Sequence, residues 1–181
     1  MLTTDGSGVN DLRRLNPIPA TLSALFRLVP PFVGSRVRTQ AMRAAGFSIG
    51  EGSTFFGWPT LGGSGDVRSR LRIGQHAGFN VRVHFELEDD IHIGDHVAVG
   101  HEVTFLTRTT ADGGGDVATR TPVVGPIEIG DGAWLGARCM VMPGVRIGAG
   151  AIIGAAVVVS EDVPDHTLLM GTQKISLARW R

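Results

Sequence analysis

The chain has no tyrosine, a single cysteine and a formal net charge of zero over 181 residues. One cysteine, Cys139, excludes an intramolecular disulfide and a metal site built from several cysteines; we predict no bound metal. The balanced charge lacks the basic surplus expected for binding nucleic acid or an anionic membrane. No apolar run is long enough to span a bilayer, and the N-terminus has no signal-peptide pattern. We therefore expect a cytoplasmic protein with neither kind of partner.

Glycine, in contrast, is abundant, with 26 residues. Large apolar residues recur every six positions, often followed by glycine, whereas a helix has a period of 3.6 and a strand a period of two. A period of six with glycine at a fixed phase is the signature of a parallel β-helix. The grid, which slips by two residues after Phe85, comprises Ile49, Phe55, Leu61, Val67, Ile73, Phe79, Phe85, Ile93, Val99, Phe105, Val123, Ile129, Leu135, Val141, Ile147, Ile153 and Val159.

Each group of six residues forms one short strand and one corner, and three groups form a triangular coil. Successive coils stack at the parallel-strand spacing of roughly 4.8 Å. A single coil cannot bury its own apolar side chains, so the repeats stabilise one another. A second row of inward positions takes small or β-branched residues, and we expect Cys139 to pack there rather than act in catalysis. This row is Ala133, Cys139, Val145, Ala151, Val157 and Val163.

The predicted fold is an all-β solenoid with a helical cap. Its segments are the cap at 1–46, the β-helix at 47–164 with a protruding loop at 106–122, and a C-terminal tail at 165–181. Within the cap we expect one helix in 17–33 and a second in 35–45, with Ser35 as its N-cap and Gly46 after its end.

Two interpretations of the cap remain open. A solenoid must cover its terminal edge, which favours helices that lie over the first coil. The alternative is a membrane-surface helix that presents Arg36, Arg38 and Arg43.

The chain resembles the hexapeptide-repeat O-acetyltransferases, the group that contains maltose and nodulation-factor acetyltransferases. The resemblance rests on Asn80, IHIGDHVAVGHEVTFLT (91–107), the loop, and IEIGDGAWLGARCMVMPGVRIG (127–148). It extends from about residue 47 to residue 170. It implies a left-handed β-helix, a homotrimer with active sites between subunits, an acyl-CoA co-substrate and a small-molecule acceptor that carries a hydroxyl.

In this family the general base is a histidine in the protruding loop. The corresponding run here, LTRTT, ends in Thr110 where that histidine is expected, and threonine cannot act as a base near neutral pH. Loss of a general base typically lowers the rate by about 10²–10⁴. His101, at a corner just before the loop, is the first substitute that we expect, and His84 would lie about one coil below it. Asp112 and Asp116 are weaker candidates.

The resemblance implies acceptor contacts at Asn80 and Glu86. For the acyl-CoA it implies a groove with contacts from Trp134, Gly136, Ala137, Ala155, Ser160, Lys174 and Arg179. The chain departs from the family at Ser160 and Glu161, which replace a Thr-Lys pair. A carboxylate at Glu161 would repel a CoA phosphate.

Three functional hypotheses follow. The first is an O-acyltransferase with a non-standard base that acts on a sugar or a secondary metabolite. The second is a trimeric scaffold or binding protein that has lost acyl transfer. The third is an enzyme that uses the cleft between subunits for different chemistry.

Overall fold

The computed structural model describes residues 30–110, 122–171 and 173–176. Its strands form three sheets around one core, together with a two-stranded ribbon, and each coil contributes a strand to each sheet in turn. Face 1 contains β1 (Ser48–Ile49), β4 (Leu71–Ile73), β7 (Ile91–Ile93), β12 (Ile127–Ile129) and β15 (Arg146–Ile147). Face 2 contains β2 (Thr54–Phe55), β5 (Gly78–Phe79), β8 (Ala98–Val99), β13 (Trp134–Leu135), β16 (Ile152–Ile153), β18 (Thr167–Met170) and β19 (Gln173–Ser176). Face 3 contains β3 (Thr60–Gly62), β6 (His84–Glu86), β9 (Thr104–Leu106), β14 (Met140–Val141) and β17 (Val158–Val159).

Within each face, strands from successive coils pair in parallel, as β6 does with β9 and β9 with β14. About six coils stack in this way. The period of six residues and the parallel ladders define a parallel β-solenoid, which matches the left-handed β-helix of hexapeptide repeats, and the predicted fold is confirmed.

The six-residue grid fills the core. Phe55 and Phe79 stack with ring centroids 4.4 Å apart, and Phe85 and Phe105 with centroids 5.1 Å apart. The second inward row is buried as predicted, including Cys139. Stacking one coil on the next therefore supplies the apolar contacts that a single coil lacks.

Val123 is the exception, because the prediction that it belongs to the grid is wrong. It lies in a ribbon of β10 (Arg108–Thr109) and β11 (Val123–Val124), which pair antiparallel outside the three faces. Its side chain is 51% exposed. A grid extrapolated across the loop cannot register strands that leave the coil.

The corner between faces 1 and 2 is built in part by histidines. His76 and His96 have φ of 55° and 57°, in the left-handed region that histidine enters more often than most residues. Their rings stack with centroids 5.1 Å apart. The neighbouring coil has Gly52 at the same position, where a Cβ would collide with the His76 ring. The local packing thus accounts for these two histidines.

One helix, α1 (Ser35–Ala44), precedes the first coil in the described residues. Met42 is fully buried and joins the core, and the Thr39 hydroxyl accepts a hydrogen bond from the Phe55 amide at 3.3 Å. The predicted N-cap, Ser35, is wrong: Gly34 occupies that position and no side chain caps the helix. Gly46 follows the end as predicted, with a φ of 98° that favours glycine.

Two of the three cap arginines are fixed to the protein. Arg38 is 1% exposed and donates hydrogen bonds to the carbonyls of Val33, before the helix, and Phe56, in the first coil. Arg43 donates to the carbonyl of Ile49 at 3.0 Å. These contacts attach α1 to the first coil and leave few cations for a membrane surface. In the part of the chain that the structure describes, no helix has the length and apolar character of a membrane span.

The parallel ladder continues past residue 164. β18 pairs in parallel with β16 on face 2, and β19 then pairs antiparallel with β18. The Leu168 position therefore faces Ile175 across the last pair of strands. The predicted helix in 17–33 lies outside the described residues, apart from 30–33, and so do residues 177–181 of the predicted tail.

Candidate functional site

The candidate site begins at the corner where each coil passes from face 2 to face 3, here called corner 2–3. Amide-to-carbonyl hydrogen bonds of 2.7 to 3.0 Å align equivalent residues of successive coils in two columns. The first column consists of Asn80, Gly100, Gly136 and Gly154. The second column consists of Val81, His101, Ala137 and Ala155.

Close stacking requires the glycines of the first column. A Cβ on Gly100 would lie 2.7 Å from the Ala137 amide nitrogen, and one on Gly136 would lie 2.6 Å from the Ala155 amide nitrogen. Real side chains do not approach backbone atoms so closely. Corner 2–3 is consequently lined mainly by backbone and methyl groups from His101 to Ala155, with Asn80 at its end, and this row of residues is here called the trough.

Trp134 stands beside this trough on the outer side of face 2. Its register neighbours are Ala98 and Ile152, and its side chain is 55% exposed. The structure therefore brings together Trp134, Gly136, Ala137 and Ala155, four of the predicted groove residues. An exposed indole beside a trough of small residues offers an apolar wall for an extended ligand.

His101 lies in the second column of the trough, next to a carboxylate that is already paired. Glu102 accepts a hydrogen bond from Arg138 Nε at 2.6 Å and also contacts Arg82. The hydrogen bond from Arg138 lowers the pKa of Glu102, with smaller charge contributions from Arg138, Arg82 and His101. Two guanidinium groups thus surround the carboxylate nearest to His101.

His84 and Glu86 form a second polar group on the outer side of β6. They flank the inward Phe85, so both side chains point outward from the same strand. A Cβ built on Gly62 would lie 2.9 Å from Glu86 Oε2 and 3.6 Å from His84 Cε1. Both groups therefore share one patch above the Gly62 backbone. Among the described residues, neither side chain has a hydrogen bond or ion pair.

The register separates His84 from His101. His84 pairs with Thr104, twenty residues on, because the coil between them is longer than eighteen residues. Val81, not His84, lies beneath His101, since the Glu102 amide bonds to the Val81 carbonyl at 3.0 Å. The two histidines therefore do not stack as expected, because His84 lies three residues beyond the position beneath His101.

Thr107 fixes the start of the loop, a role that sequence reasoning missed. Its hydroxyl accepts hydrogen bonds from the amides of Glu88 and Asp89 and donates one to the Glu86 carbonyl at 2.7 Å. Its carbonyl accepts from the Gly125 amide at 3.0 Å, where the chain returns. The only signal available in the sequence was a threonine at the start of the predicted loop.

Thr110 follows β10 directly at the edge of the described loop. The weaker base candidates, Asp112 and Asp116, lie outside the described residues. So does Arg179, which was predicted to contact a phosphate. The structure therefore places Thr110 at the base of the loop and leaves these three as predictions.

At the far end of the β-helix, Ser160 and Lys174 line a small groove of about 140 Å³. The Lys174 ammonium donates to the Asp162 carbonyl at 2.8 Å and lies 3.4 Å from the Glu161 carboxylate. The substituted Glu161 thus has a cation beside it, which offsets part of the repulsion expected toward an anionic ligand.

Cys139 is not a nucleophile at this site. It is fully buried, and burial raises the pKa of its thiol to about 12. A thiol in this environment stays protonated and unreactive near neutral pH.

The comparisons with known proteins agree with this architecture. The protein-family profile described as "Bacterial transferase hexapeptide (six repeats)" matches residues 126–161. The galactoside O-acetyltransferase of Lactococcus lactis subsp. lactis (strain IL1403) is 35% identical over 102 residues, which are 54% of this chain and 49% of that protein. The sophorolipid acetyltransferase of Starmerella bombicola is 39% identical over 114 residues, 63% of this chain and 44% of that protein. The chain thus matches about half the length of these relatives.

Among solved structures, a hexapeptide-repeat acetyltransferase from Vibrio cholerae O1 biovar eltor, in complex with acetyl-CoA, has a TM-score of 0.73. It is 26% identical in sequence, and the superposition covers 94% of this chain and 88% of the other.

Proposed function

We propose that this hexapeptide-repeat protein transfers an acyl group from acyl-CoA to a hydroxyl of a sugar or a secondary metabolite. The comparisons support the hexapeptide-repeat acetyltransferase family. The observation that carries the proposal is the trough at corner 2–3, where the exposed indole of Trp134 stands beside a column of glycine and alanine residues. The acetyl-CoA complex of the Vibrio cholerae neighbour supports acyl-CoA as the donor.

The proposed donor site follows this trough along the coils. Trp134 forms one wall, and the methyl groups of Ala137 and Ala155 and the backbone of Gly136 form the floor for the pantetheine. Ser160, Lys174 and Arg179 are the proposed contacts for the phosphate end. The thioester supplies the acyl group, and the proposed acceptor contacts, Asn80 and Glu86, lie in the coil where the trough ends.

The proposed partner is a second and third copy of the chain, with the active sites between subunits. Large apolar side chains remain exposed on faces 2 and 3, including Trp134, Val158 and Met170, at 55%, 58% and 55%. Exposed apolar side chains of this size fit a surface that another subunit or a ligand covers.

Acetyl-CoA binding, measured by calorimetry, tests the donor site. We expect Trp134→Ala to weaken binding by about 2–10-fold, the contribution of one aromatic contact. The matched control is Val37→Ala, because Val37 is an apolar residue of α1 that is 61% exposed. Absence of binding at millimolar acetyl-CoA would reject the acyl-CoA donor and favour different chemistry in the cleft.

Transfer is tested by thiol release from acetyl-CoA with three acceptors: p-nitrophenyl β-galactoside, maltose and a sophorolipid. The first and third match acceptors named for the relatives in Lactococcus and Starmerella. Thiol release that depends on one acceptor supports the transferase. A protein that binds acetyl-CoA but releases no thiol with any acceptor would instead be a binding protein.

A further inference from the structure

We infer that His84 is the general base of this acyl transfer and that Glu86 is the carboxylate that positions it. The inference rests on the proposed function and assigns the base that Thr110 cannot supply. It differs from the sequence-based preference for His101 because the structure distinguishes the surroundings of the two histidines.

The first argument is the geometry of β6. His84 and Glu86 point outward from one strand, and both reach over Gly62, which has no side chain to fill the space between them. Side chains two residues apart on a strand lie on the same side of the sheet. Neither side chain has a hydrogen bond or ion pair among the described residues, so the imidazole and the carboxylate are both available to each other and to a ligand.

The second argument is charge. A base that accepts a proton becomes an imidazolium, which a nearby free carboxylate stabilises and nearby cations destabilise. Glu86 is such a carboxylate for His84. The Glu102 carboxylate also has a charge interaction with His101, but the guanidinium groups of Arg138 and Arg82 engage it and offset its charge.

The third argument is position along the chain. The trough ends at Asn80, where a polar side chain replaces the glycines of the first column. His84 lies four residues further on in the same coil, at the start of face 3. Asn80 and His84 thus belong to one coil, whereas His101 lies on the next coil, within the trough.

The chemistry balances with these two side chains and the two substrates. The acceptor oxygen bonds to the acyl carbon while its proton passes to an imidazole nitrogen of His84. The carbon–sulfur bond then breaks, its electron pair goes to sulfur, and His84 returns the proton to the thiolate. Glu86 stabilises the imidazolium between these steps and keeps the ring oriented, so Glu86 is a positioning residue.

Kinetics with the acceptor that gives the fastest thiol release test the base. We expect His84→Ala to lower kcat by about 10²–10⁴ with little change in the KM for acetyl-CoA, and added imidazole to restore part of the loss. His101→Ala should lower kcat at least tenfold less. The matched control is His92→Ala, since His92 points outward on face 1, away from the site.

The role of Glu86 is tested by whether its substitution changes kcat or the KM for the acceptor. A positioning role predicts that Glu86→Gln lowers kcat by about 10-fold or more, and that Glu86→Asp recovers part of it. A role in acceptor binding alone would raise the acceptor KM and leave kcat intact. Unchanged turnover in His84→Ala, or an equal loss in His101→Ala that imidazole rescues, overturns the inference.

A measurement without substrate separates this inference from the proposed function. In the full-length protein, Glu86→Gln should shift the NMR signal of the His84 ring and leave that of His101 in place. An unshifted His84 signal overturns the pairing even if the protein transfers acyl groups. If no acceptor releases thiol, the proposed function fails, and a shifted signal still supports the pairing.

Discussion

Replacing Thr107 with valine tests how the loop is attached to the β-helix. Valine keeps the volume and β-branching of threonine but lacks its hydroxyl, which is fully buried. In the protein this hydroxyl accepts from the amides of Glu88 and Asp89 at 2.9 and 3.0 Å, and donates to the Glu86 carbonyl at 2.7 Å. The substitution therefore removes three hydrogen bonds and adds none.

The expected loss of stability follows from the polar groups that the substitution leaves without hydrogen-bond partners. A buried donor or acceptor that loses its partner costs about 1–3 kcal/mol. The residues that lose these bonds are only half-buried, so water recovers part of the loss, and we expect about 2–4 kcal/mol of destabilisation for Thr107→Val. The matched control, Thr107→Ser, keeps the hydroxyl and loses one methyl group, worth about 0.8 kcal/mol.

The free energy of unfolding of both variants is measured by urea denaturation. The comparison requires equal m values and a single protein concentration, because the stability of an oligomer depends on concentration. A valine variant at least as stable as the serine variant would refute the reasoning, since packing and not hydrogen bonding would then anchor Thr107.

Three further predictions concern the corners and the core. Gly100→Ala should destabilise the protein by about 1–3 kcal/mol, because its Cβ meets the backbone of the next coil. Gly78→Ala should not, because the space around Gly78 is open. Equal midpoints of thermal denaturation for the two variants would contradict this. Cys139 should resist alkylation at pH 8 until the protein is unfolded, because burial raises the pKa of its thiol to about 12; fast labelling of the folded protein would refute this. Arg138→Ala should raise the pKa of Glu102 in an NMR titration, since the hydrogen bond from Arg138 is the largest cause of its lowering. The contribution of Glu102 to the stability of the folded protein is present above its unfolded-state pKa. It is lost as the pH falls through the lower pKa of the folded state.

The core was predictable because one rule repeats. Each coil presents an inward side chain at the same phase, so Phe85 and Phe105 could be assigned to the core from spacing alone. The rule failed where the chain stops repeating. Val123 is exposed because antiparallel pairing in the ribbon follows local register, and Ser35 does not cap α1 because Gly34 already supplies the turn.

The site was harder to predict because it depends on coil length. The residues around Glu88 and Asp90 extend the coil between His84 and Thr104 to twenty residues, so a spacing of seventeen does not place His101 over His84. Contacts between distant segments, such as those of the Thr107 hydroxyl, carry no periodic signal. Sequence reasoning therefore named Trp134, Gly136 and Ala137 together, which the structure places at corner 2–3, but not the relative positions of the polar residues there.

The ribbon separates the sequence of the loop from the stability of the β-helix. Thr107 and Gly125 are joined by a hydrogen bond of 3.0 Å, and β10 and β11 pair just beyond them. The two ends of the insertion are therefore held at a fixed separation on the β-helix, whatever the sequence of residues 111–121. Exchange of that segment should therefore leave the folding free energy of the scaffold nearly constant.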